Sequence, residues 1–281
     1  MNNVIAFHTG ALGAYPVAEA IRRIGEAGYG GVELNAERLA WADPHVTPSL
    51  SAAERQIIWR AAEEAGIAIT SISAHVGLVE ADPSARRSAI EFVKGCIDLA
   101  LDLSTGVAHG LTGVAPTGVS QDEAWRWAVA AIGEIADYAE PRGVLFGIEP
   151  VVGMVVSSAG EFDELLHDLS GHKLGMNYDP SHLLVHGDDP TETARRFGSR
   201  ILAVHLKDAK GGTGAFEFPP LGVGEVDFAS LAKALQSTGY AGPLVVEYEA
   251  QAYGGYQLSE REVLEGSLAF VRRHFSENVG G

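Results

Sequence analysis

The chain has 281 residues, 46% of them hydrophobic and 20% charged, with 34 glycines; that apolar content supports a sizeable core and excludes a disordered or collagen-like chain. Twenty Lys and Arg against 37 Asp and Glu leave a net charge of −17, a field that repels phosphate backbones and anionic membrane surfaces and argues against nucleic-acid and membrane partners. A lone cysteine, Cys96, rules out an internal disulfide or a thiolate zinc cluster. The start, Met1 to His8, lacks a basic segment followed by a long apolar one, and no run approaches the ~18 apolar residues of a membrane span. The expected location is the cytoplasm.

Taken in chain order, short apolar runs alternate with amphipathic stretches. Strands are expected at 4–7, 31–35, 67–74, 105–109, 144–149, 173–178, 201–206 and 243–248, each flanked by Gly or polar residues as buried parallel strands should be. Helical patterns fall at 16–28, 49–65, 83–102, 121–140, 159–169, 190–197, 227–238 and 258–274. Asp82-Pro83 offers a capping carboxylate before a proline, Ser120 to Glu123 has capping-box spacing, and Asp227 is placed to cap the next-to-last helix. Gly28, Gly66, Gly143 and Gly239 stand where helices should stop. Strand–helix units of about 35 residues suit a (β/α)8 TIM barrel. An open doubly wound sheet is the rival, but Phe7 to Gly13 is no GxGxxG fingerprint. The expectation is an α/β, single-domain (β/α)8 TIM barrel over 1–275, with a flexible C-terminal tail at 276–281.

Barrel chemistry occurs where the loops following the strands converge around one mouth. The polar residues at those ends are Glu33 and Asn35, His75, His109, Glu149, Asp179 with His182, His205 with Lys207 and Asp208, and Glu247. Glu149, Asp179, His205 and Glu247 form a set of oxygen ligands with one imidazole, suited to a single divalent cation. Manganese is the first choice, with magnesium, cobalt or zinc as alternatives. The bland alternative is that each acid pairs with a base such as Lys207 or Arg195, which needs a separate coincidence on four strands. His75 and His109 are candidates to bind substrate or help hold a second metal; His182, Lys207, Asp208 and Glu33 are candidates for substrate contact. Trp41, Phe216 and Phe218 lie in loops on the same side and are candidates to floor or cover a sugar. His8 is read as a packing residue and Cys96 as a small buried hydrophobe.

Several segments resemble the xylose isomerase-like sugar phosphate isomerase/epimerase superfamily. They are Gly31-Val32-Glu33-Leu34, Gly147-Ile148-Glu149-Pro150, Asn177-Tyr178-Asp179-Pro180-Ser181-His182, Val204-His205-Leu206-Lys207-Asp208, the stretch Leu221 to Phe228, and Val245-Val246-Glu247-Tyr248. The resemblance runs through nearly the whole chain in the same order. It implies metal ligation by Glu149, Asp179, His205 and Glu247, acid/base roles for Glu149 and Glu247, and substrate contact by His182. Endonuclease IV members of that group carry an Asp-x-His pair after the seventh strand. Here Ala215-Phe216-Glu217-Phe218-Pro219-Pro220 has no such pair, which argues with the charge against DNA repair. His205-Leu206-Lys207-Asp208 looks more like the inosose dehydratases than the ketohexose 3-epimerases, which raises elimination chemistry.

The function expected is a divalent-metal-dependent isomerase or epimerase of a keto-sugar or related polyol, working by proton abstraction beside a carbonyl through a metal-stabilised enediolate. A lyase using the same enolate, inosose dehydratase-like or cleaving a 3-keto-glycoside by β-elimination, is the alternative. A non-catalytic carbohydrate-binding barrel is the reading from outside enzymology. The partner is a small carbohydrate, unphosphorylated because no Lys/Arg cluster marks the mouth, and a homo-oligomer is compatible with long active-side loops.

Overall fold

Short strands that are apolar on both faces need cover on both, and a helix after each strand supplies it. The computed structural model describes residues 3–275 of the chain; the tail expected at 276–281 lies outside the described residues. Strands β1 (Ile5–His8), β2 (Gly31–Asn35), β3 (Ala68–Ser73), β4 (Val107–Gly110), β5 (Leu145–Ile148), β6 (Leu174–Tyr178) and β7 (Ile201–Leu206) run parallel around the ring. A small antiparallel hairpin follows, β8 (Lys210–Gly212) and β9 (Ala215–Glu217), before β10 (Leu244–Val246) closes the barrel. Closure is direct: Ile5 pairs with Leu244 and Phe7 with Val246. The helices are α1 (Val17–Glu26), α2 (Ala52–Ala65), α3 (Pro83–Asp102), α4 (Gln121–Ala139), α5 (Ala159–Asp168), α6 (Pro180–His186), α7 (Pro190–Phe197), α8 (Phe228–Ser237), α9 (Ala250–Tyr253) and α10 (Ser267–Phe275). No helix among the described residues is long and apolar enough to cross a membrane.

All eight barrel strands fall where the apolar runs place them, and α3 and α7 match residue for residue. Asp82 caps α3 through Ser84 N at 2.9 Å, and Asp227 caps α8 through Ser230 N at 2.9 Å. Ser120 accepts from Glu123 N at 3.2 Å, but the complete reciprocal box forms at α2, between Ser51 and Glu54. The four stop glycines adopt φ of 94°, 68°, 71° and 73° at Gly28, Gly66, Gly143 and Gly239, where a side chain would be strained. Three elements are additions. Helices α6 and α9 and the hairpin are each too short to show periodicity, and the last helical stretch opens with a wide π turn at Glu262–Gly266.

Cys96 is fully buried on α3, and burial pushes its thiol up to about 12. The folded chain should therefore not react with thiol reagents at pH 8, and should yield one reactive thiol on unfolding. The folded state keeps a proton that the unfolded thiol, with an ordinary value of 9.0, releases. Stability attributable to this group is thus whole below pH 9 and is lost as pH rises towards 12. A fast native reaction at pH 8, or an alkaline slope unchanged in Cys96→Ala, would contradict the burial.

Candidate active site

On a strand, residues i and i+2 share a side, so the pleat sets which groups can meet inside the barrel. Branched apolar side chains normally fill such an interior. Here one layer below the mouth is polar instead. Glu33 Oε1 lies 2.8 Å from His205 Nε2, while its Oε2 lies 2.9 Å from His109 Nε2 and accepts from Ser71 Oγ at 2.5 Å. His8 Nε2 meets Ser73 Oγ at 3.0 Å, and His109 Nδ1 meets His75 Nε2 at 3.0 Å. Burial alone would raise Glu33, but the charges and hydrogen bonds of His109 and His205 hold it well below the usual carboxylate range. Burial drives His109 down to about 4, against the pull of Glu33.

Glu149, Asp179, His205 and Glu247 stand above this layer, at the ends of β5, β6, β7 and β10. All four are buried, and each offers one ligand atom within 4.8 Å of the others. Glu33 occupies His205 Nε2, which turns Nδ1 towards Glu247 Oε2 at 3.3 Å and Glu149 Oε2 at 3.7 Å. Asp179 divides its carboxylate. Oδ1 caps α6 through Ser181 N at 2.7 Å, as Asp82 and Asp189 do ahead of their own prolines. Oδ2 is buried without a hydrogen bond among the described residues, although Lys207 Nζ lies 3.0 Å away. Three carboxylates and an imidazole converging on one point, with an acceptor oxygen to spare, fit a divalent ion.

Burial pushes Glu149 up to about 7, with Glu247 and Asp179 adding to it against His205 and His75. Glu247 feels the same desolvation, but the charges of Lys207 and His205 outweigh it and hold the group well below the carboxylate range. Lys207 Nζ is 2.6 Å from Glu247 Oε2, 3.0 Å from Glu249 Oε2 and 3.2 Å from His182 Nε2, and lies 4.8 Å over the Phe218 ring. Lys207 thus pairs with two of the quartet's three acids, Asp179 and Glu247, while Arg195 pairs with Glu192 instead. Desolvation and the Lys207 charge take His182 down to about 3, so its ring is neutral. His75 is desolvated too, yet its bond to Glu37 and the charge of Glu149 raise it to about 9.

A cavity of about 210 Å³ opens over these groups, lined by His75, Glu149, His182, Lys207 and Glu247 and covered by Phe216, Phe218 and Tyr253.

Residues 21–274 match the family profile described as xylose isomerase-like TIM barrel. The chain belongs to that family. Over 164 residues it is 29% identical to the rhizopine catabolism protein MocC of Rhizobium meliloti, covering 52% of this chain and 50% of that protein. Over 148 residues it is 26% identical to an inosose dehydratase of Clostridium perfringens, covering 47% of this chain and 49% of the relative. The chain thus spans about half the length of the curated relatives it matches. In structure it resembles the 3-keto-D-glucoside 4-epimerase YcjR from E. coli, with a TM-score of 0.79 at 15% identity over 97% of this chain and all of that one.

Within this xylose isomerase-like barrel, four of the residues expected to touch substrate lie elsewhere. Glu33 and His109 are wholly buried in the layer below, with their polar atoms spent on each other and on His205, Ser71 and His75. Asp208 is turned away from the cavity. Its carboxylate accepts from the backbone N–H groups of Ala209, Gly222, Gly224 and Val226 at 2.8–3.2 Å and so ties down the glycine turn. A Cβ on Gly224 would lie 2.3 Å from Asp208 Oδ1, so only glycine permits that approach. Trp41 lines a neighbouring cavity and meets Tyr253 edge-on, with ring centres 6.1 Å apart.

Glu37, Glu249, Tyr253 and Asn177 were not among the expected site residues. Asn177 Nδ2 donates to Glu149 Oε2 at 2.7 Å. The signal for three of them was the period of two: Asn177 precedes Asp179 by two, Glu249 follows Glu247 by two, and Glu37 follows Asn35 by two. Tyr253 sits in a loop helix and carries no such mark.

Proposed function

We propose that this chain is a divalent-metal-dependent isomerase or epimerase acting on a keto-sugar or related polyol. The observation that carries the reading is the convergence of Glu149, Asp179, His205 and Glu247 at the floor of a cavity that Glu149 and Glu247 also line. A divalent ion held by these four side chains would supply Lewis-acid polarisation of a substrate carbonyl and its neighbouring oxygen, with manganese as the first choice. Glu247, paired with the Lys207 ammonium at 2.6 Å, is the base that takes the proton from the carbon beside the carbonyl. Glu149, the other metal-site carboxylate that lines the cavity, returns one. Delivery to the opposite face of the same carbon gives an epimer; delivery to the adjacent carbon, with a proton passed from one enediolate oxygen to the other, gives an isomer.

The Lys207 ammonium is the donor for substrate oxygens, His75 lines the cavity with its ring nitrogens held by Glu37 and His109, and the three aromatic rings above exclude water. Glu37, Glu149, Glu247 and Glu249 line the cavity against the Lys207 ammonium and the His75 imidazolium, both already paired with carboxylates, which favours a substrate without phosphate. Sugar and cyclitol chemistry among the relatives, an inosose dehydratase and a 3-keto-glucoside epimerase, supports the substrate class.

One observation favours the lyase as a second reading. Lys207 Nζ stands inside the cavity beside Glu247 and His182, where it can protonate a departing β-oxygen. The test is solvent exchange. Metal-loaded protein is incubated in D₂O with keto-sugars, inososes and 3-keto-glycosides, and deuterium should enter at the carbon beside the carbonyl. EDTA should abolish this and Mn²⁺ or Co²⁺ should restore it; full exchange after chelation overturns the metal-dependent reading. A product lacking water or an aglycone selects the lyase. Sugar binding with no exchange on any substrate selects the carbohydrate-binding barrel.

A further inference from the structure

An ammonium donates in three directions and accepts in none, so a buried lysine takes its place from the acceptors around it. Lys207 is only 3% exposed, and its Nζ meets Glu247 Oε2 at 2.6 Å, Glu249 Oε2 at 3.0 Å and His182 Nε2 at 3.2 Å. Asp179 Oδ2 stands 3.0 Å from the same nitrogen. Two of these oxygens belong to the carboxylates of the quartet. Glu247 Oε2 also faces His205 Nδ1 at 3.3 Å, so the oxygen that Glu247 turns to its fellow ligand is the one that Lys207 holds. An ammonium and a divalent ion drawn to one oxygen repel each other, and burial leaves little water to screen them.

Glu249 belongs to no group of metal-ligating side chains among the described residues. It follows Glu247 by two, at the start of α9, and its carboxylate makes no capping bond there. Its Oε2 goes to Lys207 instead, under the Phe218 ring, which lies 4.8 Å from Nζ. The Glu249 side chain is 14% exposed, and an enclosed carboxylate so close to Glu247 adds like-charge repulsion that only a cation offsets. Lys207 and Glu249 therefore form a pair that is neutral by itself and shares no atom with the quartet.

We propose that Glu249 is a positioning residue for the metal site: it draws the Lys207 ammonium off Glu247 Oε2 and Asp179 Oδ2 and so clears both oxygens for a divalent ion. Lys207 holds metal affinity down, and Glu249 restores it. Released from Glu247, the ammonium also has an N–H to offer the cavity. The inference rests on the metal site of the function proposed above and not on the reaction carried out there.

Calorimetric titration with Mn²⁺ tests it. Lys207→Met keeps much of the side chain's length without its charge and should bind Mn²⁺ about tenfold more tightly than the wild type. Glu249→Gln leaves the ammonium to the two ligand carboxylates and should bind about tenfold more weakly. Added to Lys207→Met, the same Glu249→Gln change should cost about twofold or less, because no ammonium remains to be held. A merely structural role would weaken binding in both single variants, since loosened ligands hold an ion less well. Thermal unfolding is the second readout. Without metal, Lys207→Met should melt earlier, its acids having lost their shared cation, and Mn²⁺ should raise its unfolding temperature by more than it raises the wild type's. In Glu249→Gln that rise should be smaller. Lys207→Gln, which keeps an N–H donor for the acids, takes the place of Lys207→Met if the latter does not fold.

The proposal is overturned if neutralising Lys207 weakens Mn²⁺ binding or leaves it unchanged, or if Glu249→Gln costs as much without the ammonium as with it. Absence of Mn²⁺ binding in the wild type sinks the metal site and the role of the pair with it. Binding by the wild type with the wrong signs in the variants sinks the pair alone and leaves the metal site standing.

Discussion

Glu149→Gln and Glu247→Gln should each lower deuterium exchange by about 10²–10⁴-fold, the range of a lost general acid or base, with the upper end expected because each also removes a charged metal ligand. The two variants should part company in the metal-free protein. Burial already pushes Glu149 up to about 7, so an uncharged isostere relieves repulsion from Glu247 and Asp179. Its unfolding temperature should hold or rise. Glu247 is the nearest partner of the buried Lys207 ammonium, at 2.6 Å, and among the quartet's three acids its carboxylate alone faces both that ammonium and His205 Nδ1 at hydrogen-bond or ion-pair distance, so Glu247→Gln removes the charge that both rely on. Lys207 keeps Asp179 and Glu249, each at 3.0 Å, so the variant should fold but melt earlier. Metal affinity, read by calorimetry, should fall in both. Exchange near the wild-type rate in both variants would remove these carboxylates from the chemistry.

The barrel was legible because period, length and caps agreed along the chain. Runs such as Ile201–Leu206 are too short and too β-branched for helices, and the stretches between them begin and end on cap residues. The side of the barrel on which each polar group sits was legible too, since strand ends and the two-residue period decide it. Depth was not. Glu33 and Glu149 both lie near the mouth ends of their strands, yet strands tilt and stagger around a closed barrel, so equivalent positions in sequence occupy different layers. Glu33 is sealed below and Glu149 faces the cavity. Asp208 shows a second limit. It follows Lys207 directly and therefore points the other way, into the glycine turn, which alternation from His205 would have disclosed. Trp41 and Tyr253 lie in loops, where no period exists to aim a side chain.

Glu33→Gln should weaken metal binding by about 10–100-fold although Glu33 lines no part of the cavity. With a carboxylate oxygen 2.8 Å away, His205 Nε2 keeps its proton, so the proton that a bound metal displaces is the one on Nδ1, which faces the carboxylate cluster. Glutamine keeps the shape but has one acceptor oxygen where Glu33 serves two imidazoles, so one of His205 and His109 must face an amide N–H. Breaking a buried charge partnership of this kind costs about 3–5 kcal/mol of folding stability. The pH dependence follows from the depressed value of Glu33. Its stabilisation is complete above the ordinary carboxylate value of 4.5 and is lost as pH falls through the folded one. The gap between the wild-type and variant unfolding free energies should therefore be full at pH 7 and narrow as pH falls below 4.5. If the variant loses stability but binds metal with wild-type affinity, Glu33 supports the core without aiming His205, and the carboxylate–imidazole pair has no part in building the metal site.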